Sequence, residues 1–146
     1  MNKKDKRVFS VAICGYNGGL DEFLVLYLQK ELTDNCAVQS SCFEDSDELL
    51  NTVNQKTFDL FFVFLNPVLP SKTGRTDAHK FIADLKAKFR RPIVIISNEV
   101  EYPRQMSSSL LEAGADAFFP MPFDFKNLGL ALTACGILPI SLERPA

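Results

Sequence analysis

Phe58-Asp59-Leu60-Phe61-Phe62-Val63-Phe64-Leu65-Asn66-Pro67 is the stretch on which the fold turns. From Phe58 to Leu65 it is almost wholly apolar, and Asn66-Pro67 stops it. A strand with one wet face alternates apolar and polar side chains. A continuous apolar run of this length predicts a central parallel strand covered on both faces.

Working outward, the chain repeats one pattern. Val8 to Ile13 is a short β-branched and apolar run that ends in the turn-rich Cys14-Gly15-Tyr16-Asn17-Gly18-Gly19. Leu20, Phe23, Leu24, Tyr27 and Leu28 follow at helical spacing. Ala37 to Phe43 reads as a strand, and Asp45 with Glu48 has the spacing of a capping box before Leu49, Leu50 and Val53. Beyond the central strand, Thr76 or Asp77 can cap a helix carrying Phe81, Ile82, Leu85 and Phe89. Pro92 to Ile96 is a second buried-strand run, ending at Ser97. Met106, Leu110 and Leu111 give a short helix that Pro103 keeps from starting earlier and Gly114 stops. Ala117 to Phe119 is a short fifth strand. Asp124 then caps a helix with Phe125, Leu128, Leu130, Leu132 and Ile137. Five strand–helix units in alternation predict an α/β domain with a parallel sheet between two layers of helices. The expected division is a tail at 1–6, one domain at 7–138 and a tail at 139–146.

Composition narrows the function classes. The chain has 146 residues, 47% hydrophobic and 23% charged, with a formal net charge of -2. That size suits one domain. The charge gives no global reason to expect nucleic-acid or membrane binding. No apolar run is long enough for a membrane span. The basic start up to Arg7 lacks the apolar stretch of an export signal, so the expected compartment is the cytoplasm. Of the four cysteines, Cys14, Cys36, Cys42 and Cys135, none forms a C-x-x-C pair, and His79 is the only histidine. Zinc spacing is absent, and the thiols are expected to stay reduced.

Three landmarks go beyond a generic α/β pattern. They are Phe58-Asp59-Leu60 leading into Asn66-Pro67-Val68-Leu69-Pro70, Arg91-Pro92-Ile93-Val94-Ile95-Ile96-Ser97, and Ala113-Gly114-Ala115-Asp116-Ala117-Phe118-Phe119-Pro120-Met121-Pro122-Phe123. Their order and separation resemble the receiver (CheY-like) domain of two-component response regulators, over roughly residues 7 to 136. The resemblance implies a flavodoxin-like, doubly wound, five-stranded parallel sheet in the order 2-1-3-4-5, with the site at the carboxyl ends of strands 1 and 3. Receivers place an acid pair after strand 1, a phospho-acceptor aspartate ending strand 3, a hydroxyl ending strand 4 and a lysine after strand 5. Here those positions fall on Cys14 and Gly15, on Phe64, on Ser97 and on Met121. Only Ser97 keeps the family's group, and each of the other changes removes charge.

Phosphoryl transfer to aspartate needs a carboxylate nucleophile and a divalent ion to neutralise phosphoryl charge. Magnesium needs hard oxygen ligands. Cys14, Gly15 and Phe64 supply none, and Met121 cannot pair with phosphate as an ammonium can. Phe64 is expected to fill the vacated cavity, with Met121 as a flexible partner. The resemblance therefore implies a degenerate stand-alone receiver in two-component-type signalling: no enzyme, no metal, no cofactor, and action through protein–protein contact that does not depend on phosphorylation. Its partner is expected to be a signalling protein or a second copy, on the face made by the fourth helix, fifth strand and fifth helix. Ser97 and Phe118 match the positions that couple a receiver's site to that face. The loop Pro70 to Asp77 is about four residues longer than the family usually has.

Other readings compete at single residues. Gly15, Gly18 and Gly19 could form an anion site at a helix start, but their spacing suits a plain turn. Cys14 could be a reactive thiol, against the simpler expectation of a packed one. His79 reads as a surface or half-buried residue. Asp45 and Asp47 read as helix-start acids, and Asp59 lies at the opposite end of the sheet, so none is expected to be a displaced acceptor. The alternative function is a small-molecule sensor or enzyme using the switch-point cleft near Cys14, Asn17, Asn66 and Ser97.

Overall fold

The structure is a computed structural model that describes residues 7–15, 19–32, 36–52, 57–65, 78–97, 104–120 and 124–138. Its elements in chain order are β1 (Arg7–Cys14), α1 (Leu20–Glu31), β2 (Cys36–Phe43), α2 (Ser46–Asn51), β3 (Leu60–Leu65), α3 (Ala78–Phe89), β4 (Ile93–Ser97), α4 (Arg104–Ala113), β5 (Ala117–Pro120) and α5 (Phe125–Ala134). The five strands form one sheet in the order β2-β1-β3-β4-β5, and every pairing is parallel. This is the flavodoxin-like arrangement that the alternating pattern and the landmarks predict. The loop at Pro70 to Asp77, Val53 and the caps assigned to Thr76 or Asp77 lie outside the described residues.

Burial explains the central run. All six residues of β3 are buried, and successive side chains point to opposite faces. Phe61, Val63 and Leu65 join Ala12, Cys14, Leu49, Phe81, Ile82, Leu85 and Leu110 in one core. Leu60, Phe62 and Phe64 join Val11, Ile13, Leu24, Leu28, Leu128 and Leu132 in the other. Helices α2, α3 and α4 thus cover one face of the sheet, and α1 and α5 the other. Each fully buried Leu, Ile or Phe contributes roughly 1.5–3 kcal/mol, so β3 anchors both layers at once.

Two aspartates extend the ladder where the strands begin. The Asp59 amide donates to the carbonyl of Ser10 at 2.7 Å, and the Ser10 amide donates back to Asp59 Oδ2 at 2.8 Å. At the other side of the sheet, the Asp116 amide donates to the carbonyl of Ile93 at 2.8 Å, and the Ile93 amide returns a bond to Asp116 Oδ2 at 2.9 Å. In each case a side-chain oxygen stands in for a carbonyl that the neighbouring strand does not supply at that height. Lys86 Nζ also reaches Asp116 Oδ2 at 2.7 Å and the carbonyl of Arg91 at 3.1 Å, tying α3 to the same end. This explains why β3 starts at Leu60 and not at Phe58: Asp59 terminates the ladder with its carboxylate.

The two N-cap residues are those the sequence picks, but the capping box is incomplete: Asp45 accepts from the Asp47 amide, and Glu48 makes no side-chain bond back to the Asp45 amide. Asp45 Oδ1 accepts from the Asp47 amide at 3.0 Å and opens α2, and Asp124 Oδ1 accepts from the Lys126 amide at 2.7 Å and opens α5. The apolar periodicity overreaches at three places. Phe23 on α1, Leu111 on α4 and Leu130 on α5 all face solvent.

Candidate functional site

The strands β1 and β3 are neighbours, although their chain connections leave on opposite sides, so their carboxyl ends frame the switch point of the sheet. Register brings the positions singled out in the sequence to one level. Cys14 stands beside Val63 and Phe43, Phe64 beside Ile96, and Leu65 beside Ser97, which pairs in turn with Pro120. Cys14, Gly15, Phe64 and Ser97 therefore gather at the same end of the sheet. Met121, Asn17 and Asn66 lie outside the described residues.

Cys14 is fully buried in the core under α2, α3 and α4. Burial, followed by the negative charge of Asp45 and Glu48, pushes its thiol from 9.0 up to about 12. The thiolate needed for nucleophilic or ligand chemistry is thus suppressed at neutral pH. Gly15 is buried and takes a φ of 105°, a conformation that side chains other than glycine's resist. Its amide donates to the Phe43 carbonyl at 2.8 Å, fastening the end of β1 to β2.

Phe64 is 5% exposed, and its ring lies in the core shared with α1 and α5, among side chains that include Ile13, Leu24 and Leu28. Cys14 and Phe64 share the end of the sheet but face opposite layers, so the phenyl ring does not pack over the thiol. Ser97 is fully buried at the end of β4, and Phe118 is half-buried against the α2–α3–α4 core. Among the described residues, no group of three or more His, Cys, Asp or Glu side chains could hold a metal ion.

Asp45, which the sequence reading placed only as a helix-start acid, bears on this end of the sheet. It is 5% exposed and acts electrostatically on Cys14. The signal was indirect: Asp45 follows β2 by two residues, and β2 pairs with β1 so that Phe43 lies beside Cys14. Its carboxylate is committed to the α2 cap. Asp59 is bound to β1 at the other end of the sheet, and His79 is exposed near the start of α3. A cavity of about 300 Å³ also opens at that other end, lined by residues that include Phe9, Cys36, Asp59, Arg91 and Cys135. It is remote from the switch point.

No protein-family model matches the sequence, and no curated protein matches it. Solved structures do. A two-component response regulator from Clostridium difficile superposes with a TM-score of 0.59 at 16% identity, covering 93% of this chain and 97% of that one. The BeF3-activated N-terminal receiver domain of Klebsiella pneumoniae RstA gives 0.64 at 15% identity, over 86% of this chain and 97% of that one. The receiver domain of a sensor histidine kinase from Pseudomonas aeruginosa PAO1 gives 0.59 at 14% identity, over 88% and 98%. The chain has the receiver fold. In the Pseudomonas receiver domain a magnesium ion is coordinated in the active-site cleft. At the switch-point end of its own sheet, this chain carries a thiol, a glycine, a phenyl ring and a hydroxyl. No helix among the described residues is long and apolar enough to cross a membrane.

Proposed function

We propose that this chain is a non-enzymatic, cytoplasmic receiver-type signalling domain that works by protein–protein contact without taking up a phosphoryl group. The observation that carries this reading is the burial of Phe64, at 5% exposure, where the landmarks assign the phospho-acceptor. A phenyl ring in a closed apolar core has no lone pair to attack phosphorus. The positions assigned to the acid pair support the same conclusion. Cys14 is a buried thiol held in its neutral form, and Gly15 has no side chain. A magnesium ion needs several oxygen ligands and usually keeps waters besides, and this lining offers it no carboxylate.

The proposed domain spans residues 7–138, and its partner is a signalling protein. The face made by α4, β5 and α5 suits such contact, with Leu111 exposed on α4 and Phe118 half-buried on β5. That assignment rests on the likeness of fold.

Incubation with a small acyl phosphate and magnesium, followed by intact-mass measurement, tests the reading. The mass is expected to stay unchanged while an ordinary receiver in the same tube gains one phosphoryl group. Stoichiometric gain of that mass by this chain would overturn it.

A further inference from the structure

Helix α1 turns two large apolar side chains to solvent. Phe23 is 61% exposed and Leu26 65% exposed, while Leu24 and Leu28 on the opposite side are fully buried. The flanks of the helix are occupied. On one side Gln29 exchanges hydrogen bonds with the Cys36 carbonyl and the Val38 amide of β2, and Asp21 accepts from the Cys42 thiol. On the other, the Tyr27 ring lies 5.0 Å from that of Phe125 on α5. Between them runs an outward stripe of Glu22, Phe23, Leu26 and Lys30, all exposed. Single exposed apolar residues are ordinary, but adjacent ones on a helix stripe mark a contact surface.

The order of charge along the stripe singles out the occupant. Glu22 lies four residues before Leu26 and Lys30 four residues after it. Residues four apart share a helix face, so the stripe reads acid, apolar centre, base, symmetrically about Leu26. Among the described residues, neither charge has a hydrogen-bond or ion-pair partner. A two-fold axis through an interface makes each contact occur twice, with the same patch on both sides. We infer that a second copy of this chain docks here, α1 antiparallel to α1 about an axis near Leu26. Glu22 of each copy then faces Lys30 of the other, and Phe23 and Leu26 fill the centre. This names a partner that the proposed function leaves open and rests on that reading, while leaving the α4–β5–α5 face free for a signalling protein.

One helix stripe makes a small patch against the roughly 1,200–2,000 Å² of a stable interface. The dimer is therefore reversible, and charge at its rim decides whether it forms.

Sedimentation velocity from micromolar to near-millimolar concentration is the test, with circular dichroism confirming that each variant is folded. The wild-type chain is expected to pass from monomer to dimer, with weaker association in high salt. Glu22→Lys alone and Lys30→Glu alone should each weaken self-association about tenfold or more, because both place like charges together. Mixing these two variants should restore the dimer, since each then supplies the charge that the other lacks. Leu26→Asp should abolish it. A wild-type chain that stays monomeric throughout would overturn the inference, and so would a dimer indifferent to the single charge reversals. A failed dimer with no phosphoryl adduct would sink this inference alone, whereas an adduct would sink the proposed function whatever the oligomeric state.

Discussion

The hydroxyl of Tyr27 on α1 stands against Gly129 on α5, where the Cβ of any other residue would collide with it. The Tyr27 ring also packs on Phe125, so α1 and α5 are locked by one aromatic pair and one missing methyl group. Glycine inside a helix costs about 1 kcal/mol relative to alanine. Gly129 is thus a local penalty that the close approach of the helices offsets.

This predicts a coupling. Gly129→Ala in the native background should gain little or lose stability, because the helix benefit is cancelled by displacing the Tyr27 ring. In a Tyr27→Phe background the same change should stabilise by about 1 kcal/mol. Urea denaturation of the four proteins gives the interaction energy, and equal effects of Gly129→Ala in both backgrounds would refute it.

Cys14 predicts an alkaline sensitivity. Its thiol is raised from 9.0 to about 12 in the folded protein, chiefly by burial. Between those values the folded state holds a proton that the unfolded state releases. Stability is therefore fully present below pH 9 and falls as pH rises, by up to about 1.4 kcal/mol per pH unit. Cys42, Cys135 and Tyr27 are also raised and add to the slope. Cys14→Ala retains those three, so the wild type should show the steeper decline above pH 9 in denaturant titrations under reducing conditions. Parallel curves would contradict the burial-driven shift.

The paired aspartates predict a distinction between amide and alkyl substitutions. Asp59→Ala and Asp116→Ala each leave a strand amide without its acceptor and should cost about 1–3 kcal/mol. Asn at either position keeps an oxygen for Ser10 or Ile93 and should cost less. At Asp116 the loss of the Lys86 ion pair adds only a fraction of a kcal/mol, since both side chains are about one-third exposed. Thermal unfolding of the four variants checks the ranking.

Phe64→Asp is expected to destabilise the fold by about 3 kcal/mol or more, because a carboxylate would enter the core under α1 and α5. It should also fail to acquire a phosphoryl group, since Cys14 and Gly15 still offer no metal ligands. Denaturant midpoint and intact mass measure the two parts separately.

Much of the sheet was legible because β3 and β4 are buried on both faces, and a run such as Leu60 to Leu65 admits few other readings. The caps at Asp45 and Asp124 were legible because a cap is local. What sequence could not reveal is set by tertiary neighbours. Phe23 sits beside Leu24 on the helical pattern, yet only Leu24 is turned to the sheet, because periodicity fixes a stripe but not its edge. The reach of Asp59 to Ser10 and of Asp116 to Ile93 depends on which strands become neighbours. The same holds at the switch point. The alignment of Cys14, Phe64 and Ser97 at one level followed from the landmarks, but the opposite facing of Cys14 and Phe64 and the closeness of Asp45 to Cys14 required the packed structure.

The left-handed backbone at Gly15 limits what can be engineered at this end of the sheet. An aspartate placed there would have to adopt a backbone φ of 105°, a conformation that residues with a Cβ rarely take. The main chain would have to relax first, loosening the bond from Gly15 to Phe43 before any metal could repay the disruption. Fitting an acid at this turn therefore requires rebuilding the backbone around it and not the side chain alone.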